Sequence, residues 1–265
     1  MNPESAPRSG SRRPGAFSRS VRTGLAARAR GNYAEAYRRF AKAAATGDAE
    51  GCYRLGLSYA RGDGVVGSLG DAIVWLRRAA EQGHVEAQHN LGLAFLHGGL
   101  ADGGVANWYS RAAAVDNETA ERNRDLMFPH GIEVPADHPE ALRWCRAAAE
   151  QGHAAAQANL ALMYARGYGV EIDFIEARRW YAAAAAQGNA AGELGLGVVY
   201  ANGCGIEVDL PAAAAWYEKS AAKGNADAQV ALALMCNAGQ GPERDPRRAA
   251  ALFQLAAEGD RKSVV

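Results

Sequence analysis

The sequence predicts an all-α chain: an α-solenoid of about six and a half two-helix repeats, each of about 36 residues. Three observations predict it. A glycine recurs after an alanine-rich run at near-constant spacing. All five tryptophans, Trp75, Trp108, Trp144, Trp180 and Trp216, fall eight residues before such a glycine or its equivalent. Apolar residues inside each period stand at helical spacing, as in Ala87, Leu91 and Phe95. A period of this length marks stacked helical repeats, because one helix pair leaves an apolar face that only a neighbour can cover.

The elements follow from the N-terminus. Residues 1–31 hold seven Arg and one Glu and have no apolar core of the kind a secretory signal needs. Residues 1–20 read as a disordered basic tail and 21–31 as a short helix capping the stack. Half a unit follows, from Asn32 to Thr46. The anchor glycines are Gly47, Gly83, Gly152, Gly188, Gly224 and Gly259, at intervals of 36, 69, 36, 36 and 35. The long interval divides at Asp116, in "AAAVD", into 33 and 36. The solenoid therefore spans 32–259, with a tail of 260–265 and about thirteen helices in all.

Within a unit the first helix starts just after the anchor and ends at a second glycine fifteen residues on: Gly62, Gly98, Gly131, Gly167, Gly203 or Gly239. A glycine suits the left-handed residue that closes a helix. A turn such as "GYGV" leads to Asp137, Asp173, Asp209 or Asp245. Each stands where a carboxylate can accept from the free amides of the second helix. The paired alanines, such as Ala148-Ala149, permit close helix approach. The Trp and Tyr rows are expected to supply the bulk opposite them.

With these rows in place, the spacing A-x-x-x-L-G-x-x-Y-x-x-G-x-G-V-x-x-D-x-x-x-A-x-x-W-Y-x-x-A-A-x-x-G resembles the Sel-one-like repeat (SLR), a relative of the tetratricopeptide repeat. Residues 192–224 match it closely through Leu196, Gly197, Tyr200, Gly203, Gly205, Asp209, Ala213, Trp216, Tyr217, Ala221 and Gly224. The resemblance covers 32–259. It implies a right-handed superhelix whose first helices line a concave groove, and an adaptor or scaffold role in protein complexes. SLR proteins are common in bacteria. A secreted branch of the family carries a disulfide in each repeat. Cys52, Cys145, Cys204 and Cys236 fall in four different registers, so they read as reduced thiols, mostly buried.

Little in the chain points to catalysis. "HVEAQH" separates His84 and His89 by five residues, whereas a metalloprotease helix needs two histidines one turn apart. His84 occupies the helix-start position that Asn189 and Asn225 fill elsewhere. His97 and His130 share a register and suit helix C-termini. "GLGVVY", Gly195 to Tyr200, lacks both the third glycine and the strand context of a nucleotide fingerprint. No metal site and no cofactor is expected.

One polar row invites a guest. The residue before the leucine row is Arg54, Asn90, Asn123, Asn159, then Gly195 and Ala231. Amides on a concave face can bond an extended peptide's backbone, or they can bond neighbouring repeats instead. Tyr53, His89 and Arg122, one residue earlier, would add side-chain specificity. The unit from Asp116 to Gly152 departs furthest from the code, with Arg124 in the leucine row and Asp125 in the small-residue row. A kink or partner contact is expected between 97 and 137.

The functional expectation is a non-enzymatic protein or peptide binder, cytoplasmic, with an organellar location if 1–31 is a transit peptide. Residues 32–265 carry 22 Lys and Arg against 28 Asp and Glu, which argues against a nucleic-acid partner. No run of eighteen apolar residues suggests membrane insertion. The alternative class is a cell-wall-ligand-binding or β-lactamase-like SLR protein.

Overall fold

The computed structural model describes residues 17–97, 136–241 and 243–264, and among them it shows twelve α-helices and no strand. In chain order they are α1 Arg19–Ala29, α2 Tyr33–Ala45, α3 Ala49–Arg61, α4 Leu69–Glu81, α5 Val85–His97, α6 His138–Glu150, α7 Ala154–Arg166, α8 Phe174–Ala186, α9 Ala190–Asn202, α10 Leu210–Ala222, α11 Ala226–Ala238 and α12 Pro246–Val264. The all-α repeat fold is as the sequence predicts.

Ten of these helices are thirteen residues long, because the same stop and start signals bracket each one. The four first helices α3, α7, α9 and α11 end at Gly62, Gly167, Gly203 and Gly239, all left-handed at φ between +66° and +73°. Second helices start at Asp137, Asp173, Asp209 and Asp245, whose Oδ1 atoms accept from amides of the first turn at 2.9–3.0 Å. First helices start at Asp48, His84, His153, Asn189 and Asn225. His84 takes its helix-start place by accepting from the Ala87 amide through Nδ1 at 3.4 Å. The N-terminal helix begins at Arg19, two residues before the expected start, because the Ser18 hydroxyl caps it.

Residues Met1–Ala79 form one compact unit and Ala80–Val265 a second. In the first, α1 packs on α2, α2 on α3, and α1 touches α3. Phe40, Leu55 and Leu76 are its largest fully buried side chains. In the second, each helix from α5 to α12 packs on the next, and successive first helices touch, α5 with α7 and α7 with α9.

Large-against-small packing recurs, carried by the Tyr row and its equivalents more than by the Trp row. Trp144 is buried; Trp75, Trp180 and Trp216 are only half-buried, each with a cation over its ring. The residue after each tryptophan fills the seam. Leu76 lies against Gly56, Cys145 against Gly92 and Tyr217 against Gly197. A Cβ on Gly92 would come within 2.5 Å of the Cys145 sulfur. Tyr181, also buried, lies against Gly195. None of the four cysteines is in a disulfide, three of them are buried, and burial pushes the Cys145 thiol up to about 12.

The seam between α5 and α6 answers the 69-residue interval. In the four other pairs that follow an anchor glycine among the described residues, the amide before the second helix donates to the carbonyl twelve residues after the anchor. The bonds are Ser68 to Tyr59, Asp173 to Tyr164, Asp209 to Tyr200 and Asp245 to Cys236, at 2.9–3.0 Å. The Asp137 amide donates to the Phe95 carbonyl at 3.0 Å, the same bond formed 33 residues further along the chain. The helices α5 and α6 therefore form one structural repeat, although the sequence assigns them to two. Asp116, Arg124, Asp125, His130, Trp108 and the expected kink lie outside the described residues.

At the C-terminus, α12 runs through Gly259 to Val264. Counting from Asp245 as from Asp209, Gly259 stands in the register of Lys223 and Asp260 in that of Gly224. The expected stop at Gly259 is one residue out of register, so no left-handed glycine falls where the other second helices end.

Candidate functional site

Of the residues singled out for partner binding, Tyr53 and Arg54 lie in the first unit, and His89, Asn90 and Asn159 in the second. Arg122 and Asn123 lie outside the described residues. In the first unit, Arg54 and Tyr53 sit mid-way along α3 and are half-buried. The Arg54 Nε donates to Glu50 at 2.6 Å, and its guanidinium lies 5.3 Å from the Tyr53 ring centre. A single turn of helix thus holds an arginine between a carboxylate and an aromatic face.

In the second unit, His89 of α5 stacks on His153, which precedes α7, with ring centres 4.4 Å apart. His153 is also the N-cap of α7, its Nδ1 accepting from the Ala156 amide at 3.2 Å. That bond requires the unprotonated nitrogen. Burial lowers the His153 pKa from its ordinary value, opposed by the Glu86 carboxylate. Asn90 and Asn159 are half-buried. The Asn159 Nδ2 is shielded from solvent and has no hydrogen-bond partner.

The row that stitches the repeats stands two residues before the asparagines, and sequence reasoning missed it. It comprises Cys52, Gln88, Gln157, Glu193 and Gln229, all buried. Gln88, Gln157 and Gln229 donate through Nε2 to the carbonyls of Ala80, Ala149 and Ala221 at 3.1–3.2 Å. Those carbonyls belong to the last turn of the preceding second helix, where each also accepts from the amide of the following anchor glycine at 2.9 Å. The glutamine oxygens take a second bond. Gln151 donates to Gln88 at 2.7 Å and Gln187 to Gln157 at 2.8 Å. At the next rung the pair becomes ionic, Lys223 to Glu193 at 2.5 Å. The signal was in the sequence: a polar residue five places after each of four anchors, with Gln or Lys just before the next in three of the four.

The family model described as Sel1 repeat matches residues 49–84, 85–117, 127–153, 154–189, 190–225 and 226–260. The chain belongs to the Sel1 repeat family. Sel1 repeats generally serve as protein-interaction scaffolds. The chain is similar to a Sel1 repeat protein from Oxalobacter formigenes, with 27% identity and a TM-score of 0.68 over 90% of this chain and 85% of that one. It also matches c5321, a protective antigen present in uropathogenic Escherichia coli strains displaying an SLR fold. There the identity is 30% and the TM-score 0.48, over 92% of this chain and 54% of that one. No curated protein matches. The two Sel1 matches at 85–117 and 127–153 supply α5 and α6, the first helix of one and the second helix of the other. None of the helices among the described residues is long and apolar enough to cross a membrane.

Proposed function

We propose that this Sel1 repeat chain is a non-enzymatic scaffold that binds a protein or extended peptide on the face of its first helices. His89, Asn90 and Asn159 contact the guest in the second unit, and Tyr53 and Arg54 in the first. Arg122 and Asn123 extend the same registers. One observation carries the reading. The glutamine row already joins the repeats, while the Asn159 amide keeps a shielded donor with no partner. A buried donor left open costs stability, so a guest carbonyl that fills it repays the cost on binding. Four cysteines outside disulfides fit a reducing compartment, and with it a cytoplasmic location.

Affinity purification from the native cell tests this. Changing Asn90, Asn123 and Asn159 together to Ala should strip the partners captured by the wild type while leaving the helical circular dichroism intact. An unchanged partner set in a folded triple variant defeats the proposal.

A further inference from the structure

The first unit is strongly basic. Residues 17–79 hold eleven Lys and Arg against five Asp and Glu. Three of those cations gather around α3. Arg28, in the last turn of α1, meets Asp63 through Nε at 3.2 Å, and Arg54 meets Glu50 through Nε. Both acids are thereby engaged. Arg61, two helical turns beyond Arg54 on the same face of α3, has a buried Nε with no hydrogen-bond partner. Burial and the nearby Arg28 guanidinium disfavour its charge, and Asp63 and Tyr53 offset part of that. The helix C-terminus accounts for a cation at this position but not for its burial. Arg166, at the same register of α7 in the second unit, is exposed. A shielded Nε held among two other guanidinium groups leaves a donor that a further anion can fill.

We infer that Arg28, Arg54 and Arg61 form a cationic site that takes the carboxylates of an acidic peptide. The inference rests on the peptide-binding reading above and adds the chemistry of the guest. Arginine offers five donors in a planar fork, and the ion pairs to Asp63 and Glu50 use only the Nε edge of Arg28 and Arg54. Arg54 and Arg61 are seven residues apart, which is about 10 Å along a helix. A single phosphate is too small to bridge them. Carboxylates three residues apart on a polyproline-II chain lie on one edge at about 9 Å and can reach both. The spare positive charge of the unit supplies long-range attraction to such a chain.

The test uses the full chain and labelled peptides with Glu at positions i and i+3 in an Ala/Pro background, with Gln replacing Glu in the control. Fluorescence anisotropy should show binding of the Glu peptide alone, weakening as salt is raised. Arg61→Met keeps the apolar stem and removes the charge. It should weaken binding about tenfold or more, with a melting temperature equal to or above that of the wild type. Arg166→Met should bind as the wild type does. Three results overturn the inference: no Glu-peptide binding by the wild type, equal binding by Arg61→Met, or a lowered melting temperature in Arg61→Met, which makes the residue structural. Inorganic phosphate that binds while the peptide does not also overturns it. Such a failure leaves the scaffold reading standing if the asparagine variants lose their native partners; if those partners persist, both readings fall.

Discussion

His153 shows how one residue serves two repeats at once. It caps α7 through an unprotonated Nδ1 and stacks on His89 of α5. Its pKa lies below the unfolded value of 6.5, so the unfolded chain binds the proton more readily. Its contribution is therefore complete above about pH 6.5 and declines as pH falls from there toward the folded pKa. Asn189 and Asn225 do the same capping work without titrating. Changing His153 to Asn should flatten the fall in unfolding free energy between about pH 7 and pH 5, by at most about 1.4 kcal/mol per pH unit. Urea denaturation across that range checks it; parallel pH profiles for the two proteins would contradict the capping account. The capping role was legible for His84, whose register matches Asn189. The ring stacking was not, because it joins residues 64 apart across an interval that the repeat arithmetic divides differently.

At the scale of helices, the glutamine ladder decides how pairs join. Its last rung is incomplete. Gln229 donates to Ala221, but its Oε1 is buried without a partner. Gln151, Gln187 and Lys223 supply the matching donor in earlier repeats, and Gly259 stands in that register. Changing Gly259 to Ala should raise stability by about 1 kcal/mol through helix propensity alone. Changing it to Gln should add about 0.5–1.5 kcal/mol more by completing the rung. Equal stability of the two variants in thermal melts would show that the rung does not form. The helices themselves were legible in the sequence because each carries its own stop and start residues. The ladder was overlooked for a physical reason. A buried amide resembles a surface one in sequence, and only the stack shows which amides meet a helix end. The tryptophans misled in the opposite sense: their register located the second helix, while the smaller neighbour Leu76, Cys145, Tyr181 or Tyr217 carries the packing.

For the molecule as a whole, the α5–α6 seam has the largest consequence. Every contact that defines a repeat is present there: the Asp137–Phe95 backbone bond, the Gln151–Gln88 rung, and Cys145 against Gly92. Stability in a solenoid is close to a sum over such nearest-neighbour seams. Replacing residues 98–136 by the six-residue turn found at 167–172 removes 33 residues and leaves all three contacts in place. The shortened chain should fold with a denaturant midpoint close to that of the parent, within about 0.5 kcal/mol. A loss of several kcal/mol in urea melts would show that the intervening residues carry a seam of their own. The period was legible across this region. Which first helix meets which second helix was not, because each unit offers the same mating surface.

That sameness has a hereditary side. The bond closing each helix pair runs from backbone to backbone, so it does not depend on which side chains flank it. A gene built of such periods can lose or gain one by recombination between copies and still encode a chain that closes. Residues 98–136 exceed the six-residue turn by 33, the length of the shortened interval between Gly83 and Asp116. The joint between α5 and α6 is thus a place where the lineage of this protein could lengthen or shorten without relearning how to fold.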